Sequence, residues 1–126
     1  MIPDEIARSP YISLVTFRRD GTPVPTPVWA ASDGAELIVW TRDDSWKVKR
    51  LRKDDRVTVT VCDVRGGIQD GAVSAEGTAR LLGAAEIPQV RKTLARKYGL
   101  RFRIIDSGGA LMRLGKRPHV GIAITL

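Results

Sequence analysis

The residues with the clearest chemical potential lie near the middle of the chain, in a short segment that combines helix-capping residues with several cations. Asp44 or Ser45 can cap the start of a helix that is predicted over residues 45–53. Lys47 then falls in the first turn, where a cation is unfavourable because the helix start already carries partial positive charge. An anion held there by free backbone N–H groups and by Lys47 would offset this cost. The segment therefore predicts a binding site for a phosphorylated small molecule.

A second pattern is proline at every other position of one predicted strand, at Pro23, Pro25 and Pro27. Alternate N–H groups of a strand point to the same side, so the three missing donors lie along one edge. That edge cannot pair normally with another strand, and it leaves room for a ligand or a second chain. Two interpretations stay open. The prolines protect the edge against aggregation, or a planar ring lies against the strand and Thr26 offers it a polar group.

The remaining notable side chains point mainly to structural roles. Cys62 is the only cysteine, which excludes an intramolecular disulfide and a multi-cysteine metal site within one chain. His119, the only histidine, is followed by an alternating strand and is expected to be structural. The three tryptophans are expected in the core or in a dimer interface, with stacking on a cofactor ring left open for one of them. They are Trp29, Trp40 and Trp46.

Length and composition predict one domain over residues 1–126, since 43% of the residues are hydrophobic and can fill one core. No segment approaches the ~20 apolar residues of a membrane span. The N-terminal residues include acids and lack an apolar run, so no secretory signal is expected. Together with the single cysteine, this predicts a cytoplasmic protein.

The net charge of +7 predicts acidic partners, and nucleic acid is the first class to consider. The cations concentrate in the segments 47–56 and 91–103, and no basic tail, zinc finger or aromatic–basic ribonucleoprotein motif accompanies them. Most of them are expected to lie on solvated helix faces. The sequence therefore favours a small anionic ligand over nucleic acid.

The periodicity predicts a mainly β fold with α-helices, because strand patterns dominate and two segments have helical spacing. The predicted strands cover residues 11–18, 22–31, 35–41, 56–62, 72–82 and 120–126. The predicted helices cover residues 45–53 and 84–98, and the segment 102–114 is ambiguous. These elements suggest a small antiparallel barrel that the last strand closes.

The order of these segments resembles the pyridoxamine 5′-phosphate oxidase-like superfamily of split β-barrel flavoproteins. More narrowly, it resembles the branch that depends on the deazaflavin coenzyme F420. The resemblance is carried by residues 14–23, the proline strand, and residues 39–41, 45–51, 56–58 and 76–79. It implies a six- or seven-stranded antiparallel split barrel with two or three short helices. It also implies a homodimer with two cofactor sites at the interface.

The resemblance further implies where the cofactor lies. Its phosphate is expected near Lys47, with Ser45 and Arg50 beside it. Its ring is expected along the second strand, and two residues at the end of the next strand lie beside the phosphate end. These ring and strand positions are Pro25, Thr26, Pro27, Val28, Trp40 and Thr41. Relatives often have Asn-Pro where this chain has Asp54-Asp55, a change in the turn after the helix that should not affect the phosphate.

The resemblance implies an F420-dependent reductase that transfers a hydride to a small unsaturated or conjugated organic molecule. The cofactor supplies the hard chemistry, so no catalytic triad is expected and no catalytic residue is assigned. A positively charged chain suits the polyglutamate tail of F420 better than it suits plain FMN. Two alternatives stay open: an FMN-dependent oxidoreductase of the same fold, or a carrier that binds F420 or flavin without turnover.

Overall fold

The computed structural model describes residues 2–42, 45–99 and 119–126, and within them seven strands form one antiparallel sheet. The strands are β1 (Tyr11–Phe17), β2 (Pro23–Val28), β3 (Ala30–Asp33), β4 (Glu36–Arg42), β5 (Arg56–Cys62), β6 (Ser74–Leu82) and β7 (His119–Thr125). The helices are α1 (Asp4–Arg8), α2 (Trp46–Leu51) and α3 (Ile87–Tyr98), and a 3-10 turn (Ala84–Glu86) precedes α3. The sheet order is β2-β1-β5-β6-β7-β4-β3. The predicted mainly β split barrel with short helices is therefore confirmed. The ambiguous segment 102–114 lies outside the described residues.

The predicted strand over residues 22–31 is divided at Trp29 into β2 and β3, which form the two opposite edges of the sheet. One residue thus joins both edges and curls the sheet. The end of α3 holds this bend, because the Trp29 ring stacks on Tyr98 with centroids 4.4 Å apart. The Tyr98 hydroxyl also accepts the backbone N–H of Ala30 at 3.0 Å. The last strand is expected to close the barrel, and in the structure β7 pairs with both β6 and β4 and so joins the two parts of the sheet.

The proline strand lies at a sheet edge, as its spacing predicts, and in the described structure it pairs with β1 alone. Val24 lies opposite Thr16, and Thr26 lies opposite Leu14. Residues directly opposite share a face of the sheet, so Val24 and Thr26 point to the same side as these two β1 residues. The alternate positions, occupied by the prolines, point to the other side.

The core consists of two clusters of buried side chains. The larger one fills the curl of the sheet, and its fully buried members include Ile12, Leu14, Leu37, Val39, Val59, Ile122 and Ile124. The smaller one lies under α3, where Val90 and Leu94 pack against Ile38, Leu82 and Ala123. The helix approaches β7 closely at Gly121, because a Cβ there would lie 2.7 Å from a methyl carbon of Val90. This packing explains the helical spacing of the apolar residues in the predicted segment 84–98, since these residues face the sheet.

The helices differ in part from the sequence prediction. The basic helix ends at Leu51 rather than at residue 53, because the N–H of Lys53 donates to the carbonyl of Arg50 and turns the chain away. The short helix α1 is not predicted, since only Ile6 among its five residues is buried and no apolar period marks it. None of the helices in the described segments combines the length and the apolar character needed to cross a bilayer.

Candidate anion-binding site

A cleft of about 1160 Å³ lies between α2 and the hairpin formed by β1 and β2. The hairpin wall consists of Phe17, Arg18, Arg19, Val24 and Thr26. The opposite wall, α2 and the turn after it, consists of Trp46, Lys47, Lys49, Arg50, Arg52, Lys53 and Asp54. The cleft thus joins the basic helix to one face of the proline strand.

The cleft is strongly positive, since seven of these lining residues are Lys or Arg and one, Asp54, is acidic. Asp54 is already neutralised by Arg56, whose Nη2 lies 2.7 Å from its Oδ2 and whose Nε lies 3.0 Å from its Oδ1. The hydrogen bonds from Arg56 lower the pKa of Asp54 to about 2. The carboxylate therefore compensates little of the charge in the cleft, which is suited to attract anions.

Arg50 is anchored to the sheet by a hydrogen bond. Its Nε–H donates to the hydroxyl oxygen of Thr16 at 2.6 Å, and Thr16 is fully buried. Partial burial, and to a lesser degree the neighbouring charge of Arg18, lower the pKa of Arg50. Two guanidinium groups that repel each other are favoured side by side when an anion lies between them. The predicted Arg50 thus lies in a part of the cleft whose positive charge favours an anion.

Ser45 and Lys47 lie at the start of α2, as predicted. The Ser45 hydroxyl accepts the N–H of Val48 at 3.4 Å, which confirms it as the N-cap. Lys47 is half-buried and lines the cleft. Because α2 has only six residues, its dipole is small, and the Ser45 cap already occupies one N–H. The side-chain cations, more than the helix start, therefore supply the attraction for an anion.

The proline strand contributes one predicted residue to the cleft, Thr26. Pro25 and Pro27 are exposed and project from the opposite face of β2, and the ring of Pro27 lies beside Gly66. Val28 is only 8% exposed and belongs to the barrel core. Within one chain, the part of β2 that lines the cleft is thus formed by the alternate residues Val24 and Thr26.

Trp40 and Thr41 lie on β4, apart from the cleft walls. Trp40 packs against the cluster under α3, and the guanidinium carbon of Arg91 lies 5.7 Å from its ring centroid. Thr41 is buried. Neither residue is brought to the cleft within one chain, so their contact with a cofactor stays a prediction.

Arg18 and Arg19 line the cleft although the sequence does not predict them there, and Trp46 is expected only as one of three tryptophans that could stack on a cofactor ring. The alternation of the strand could have placed Arg18 on the cleft side, because Arg18 follows Thr16 by two positions and therefore shares the face of the hairpin on which Thr16 lies. The N–H of Arg18 donates to the carbonyl of Thr22 at 2.9 Å, which extends the ladder past the end of β1. What the sequence does not show is that α2 packs beside this hairpin.

Comparisons with known proteins agree with this architecture. The family model for pyridoxamine 5′-phosphate oxidase matches residues 2–117. No curated protein matches the chain in sequence.

Solved structures share the fold at low sequence identity. The Vibrio cholerae heme storage protein HutZ is 14% identical with a TM-score of 0.71, and the match covers 97% of this chain and 84% of HutZ. An F420 reductase is 18% identical with a TM-score of 0.61, and the match covers 98% of this chain and 94% of the reductase. The Agrobacterium tumefaciens protein Atu2129, of unknown function, is 17% identical with a TM-score of 0.68 over 97% of this chain, which spans 50% of that protein. At these identities the likeness establishes the fold alone.

Proposed function

This chain belongs to the pyridoxamine 5′-phosphate oxidase family, and from that premise we propose that it binds a phosphorylated flavin-type cofactor in the cationic cleft. We further propose that the cofactor is coenzyme F420 and that the protein is an F420-dependent oxidoreductase. Its substrate would be a small unsaturated or conjugated organic molecule. The protein would act as a cytoplasmic homodimer whose second chain completes each site.

The observation that carries the proposal is the concentration of cations around Arg50. Its guanidinium is held by the buried Thr16, and Lys47 lies on the next turn of the same helix. Such a fixed cationic group suits a phosphate, since hydrogen bonds between charged partners are about twice as strong as neutral ones. The further cations of the cleft favour F420 over FMN, because the polyglutamate tail adds carboxylates.

When bound, the deazaflavin would supply the hydride. The residues of this chain would position the cofactor and shield its ring from water. Arg50 and Lys47 would hold the phosphate, while Val24 would exclude water from the ring on the hairpin side. The Thr26 hydroxyl would hydrogen-bond a polar edge of the ring.

Two related functions remain as alternatives to this proposal. An FMN-dependent oxidoreductase would differ in its cofactor, and a carrier of F420 or flavin would bind the cofactor without catalysing a reaction. A third possibility, heme binding, is raised by the shared fold of HutZ. For a histidine-ligated heme, the chain offers one histidine, His119.

Thermal shift of the apo protein with F420, FMN and heme separates these cofactors. A ligand that binds only the folded state raises the melting temperature when it is well above its dissociation constant. We expect the largest shift with F420, followed by oxidation of reduced F420 when conjugated substrates are screened. A shift with FMN or heme and none with F420 would overturn the cofactor assignment. Tight F420 binding without oxidation across the screen would indicate a carrier.

A further inference from the structure

We propose that Trp46 and Lys49 form a second subsite in the cleft, which takes the planar ring and the carboxylate of the substrate. The inference rests on the proposed function and narrows its substrate class to planar conjugated carboxylates. It uses no residue that we assign to the phosphate.

Trp46 is an unusual wall residue for a charged cleft. It is the first residue of α2 and is 71% exposed, the highest value among the exposed large apolar side chains of the described segments. Isolated exposed apolar residues are common and need no explanation by themselves. Here, however, the indole lines the wall of the cleft opposite Val24 and Thr26, so a flat molecule in the cleft can lie against the indole without using the hairpin residues that we assign to the cofactor ring.

Lys49 gives this apolar surface a charge. Its Nζ lies 4.5 Å from the centroid of the Trp46 ring, within the range of a cation–π contact. Among the described residues, no carboxylate lies within ion-pair distance of Lys49, and Asp54 is engaged by Arg56. An ammonium group that has no acidic partner in the described part of the chain thus lies over the ring of an exposed indole.

An indole and an adjacent ammonium group select for two properties in one ligand. A conjugated ring gains offset stacking on the indole, and a carboxylate attached to that ring can pair with Lys49. A neutral planar molecule loses the second interaction, and a non-planar carboxylate loses the first. The carboxylates of a polyglutamate tail would use Lys49 but would not need Trp46, which distinguishes substrate from cofactor as the source of the carboxylate.

The test measures the affinity of three probes by calorimetry, with the cleft loaded with F420 or, if it binds better, FMN. The probes are trans-cinnamate, the neutral trans-cinnamamide and the non-planar cyclohexanecarboxylate. The variants are Trp46→Phe, Trp46→Ala and Lys49→Gln, with Lys92→Gln on the exposed face of α3 as the matched control. Because Trp46 and Lys49 are exposed, the variants should fold, and their melting temperatures check this.

We expect wild type to prefer cinnamate over each of the other probes by about threefold to tenfold, the range for exposed charge and ring contacts. Lys49→Gln should abolish the preference over the amide, and Trp46→Ala should abolish the preference over the non-planar acid. Trp46→Phe should retain most of the latter, and Lys92→Gln should behave as wild type. Equal affinities for the three probes in wild type would overturn the inference.

Cofactor affinity measured on the same samples keeps the two proposals apart. If the cofactor binds but Lys49→Gln and Trp46→Ala leave the probe preferences unchanged, the subsite is wrong and the proposed function stands. If Lys49→Gln weakens F420 binding while cinnamate binding is unaffected, Lys49 serves the cofactor tail, which also overturns the substrate subsite. If no cofactor binds to wild type, the proposed function fails, and the probe preferences in the apo protein decide the subsite independently.

Discussion

The Nε–H of Arg50 donates to the hydroxyl oxygen of Thr16 across 2.6 Å, although 34 positions separate the two residues in sequence. The contact joins α2 to β1 and involves one of the residues that line the cleft, Arg50. Within the described residues no carboxylate pairs with Arg50, so its terminal nitrogens remain available to an anion. A buried hydroxyl thus fixes the cation on which the proposed phosphate site depends.

Thr16→Val removes this hydroxyl while keeping the shape of the side chain. We expect the free energy of unfolding to fall by about 1 kcal/mol, the usual net value of one such hydrogen bond. Cofactor affinity should fall as well, because the guanidinium loses its anchor. Urea unfolding and equilibrium titration measure the two effects. Thr16→Ser keeps a hydroxyl and should lie closer to wild type; equal cofactor affinities for the two variants would argue against an orienting role.

Lys47→Ala and Lys47→Glu should weaken cofactor binding by about 1–3 kcal/mol, the range for a charge-assisted hydrogen bond. The glutamate variant should be the weaker binder because it adds repulsion to the loss of attraction. Titration of cofactor fluorescence measures the change. Lys92→Ala provides a matched exposed lysine outside the cleft. Unchanged affinity in both Lys47 variants would remove this residue from the site.

The partly buried ammonium group of Lys97 should make the stability of the protein depend on pH in an unusual direction. Its Nζ donates to the carbonyl oxygens of Ser9 at 2.7 Å and Ala30 at 2.5 Å, and burial lowers its pKa from 10.5 to about 8. Between these values the unfolded chain binds the proton and the folded chain does not, so this group makes stability rise with pH.

The free energy of unfolding of wild type should therefore increase relative to that of Lys97→Gln between pH 8 and 10. Denaturation at several pH values measures the difference, in which the other titrating groups cancel. Lys92→Gln should show no such trend, because Lys92 is exposed. A difference that is constant over this range would show that the folded state holds the proton normally.

Gly77→Ala should destabilise the sheet by roughly 1–3 kcal/mol, the range for overpacking. A Cβ at this position would overlap with the backbone carbonyl oxygen of Thr125 on the neighbouring strand, which cannot move without disturbing β7. Gly83→Ala is the matched control, since a Cβ there meets no atom within 4 Å. Thermal unfolding compares the two variants. Equal melting temperatures would mean that β6 and β7 can move apart to accommodate the methyl group with little loss of free energy.

The features that local sequence predicts well are those set by neighbours along the chain. The Asp20-Gly21 turn, the edge position of the prolines and the Ser45 cap each follow from the chemistry of a few adjacent residues. The expectation for Lys47 follows from the same local reasoning, whereas that for Arg50 depends on the family resemblance.

The features that were missed depend on packing between distant segments. Nothing near Trp29 marks the bend between β2 and β3, which depends on its stacking against Tyr98 in α3. Similarly, Arg18 joins the cleft only because α2 packs beside the hairpin. The exposure of Trp46 could not be foreseen, since a tryptophan at a helix start is usually expected to be covered.

The one-residue link at Trp29 also limits how the length of the chain can change. An insertion between Val28 and Ala30 would loosen both margins of the sheet at once, because the same backbone continues from one into the other. The turns at Gly21 and Gly34 connect strands whose outer ends face solvent, and they can absorb added residues locally. Insertions and deletions among homologous chains should therefore occur at those turns and be absent from the one-residue link at Trp29.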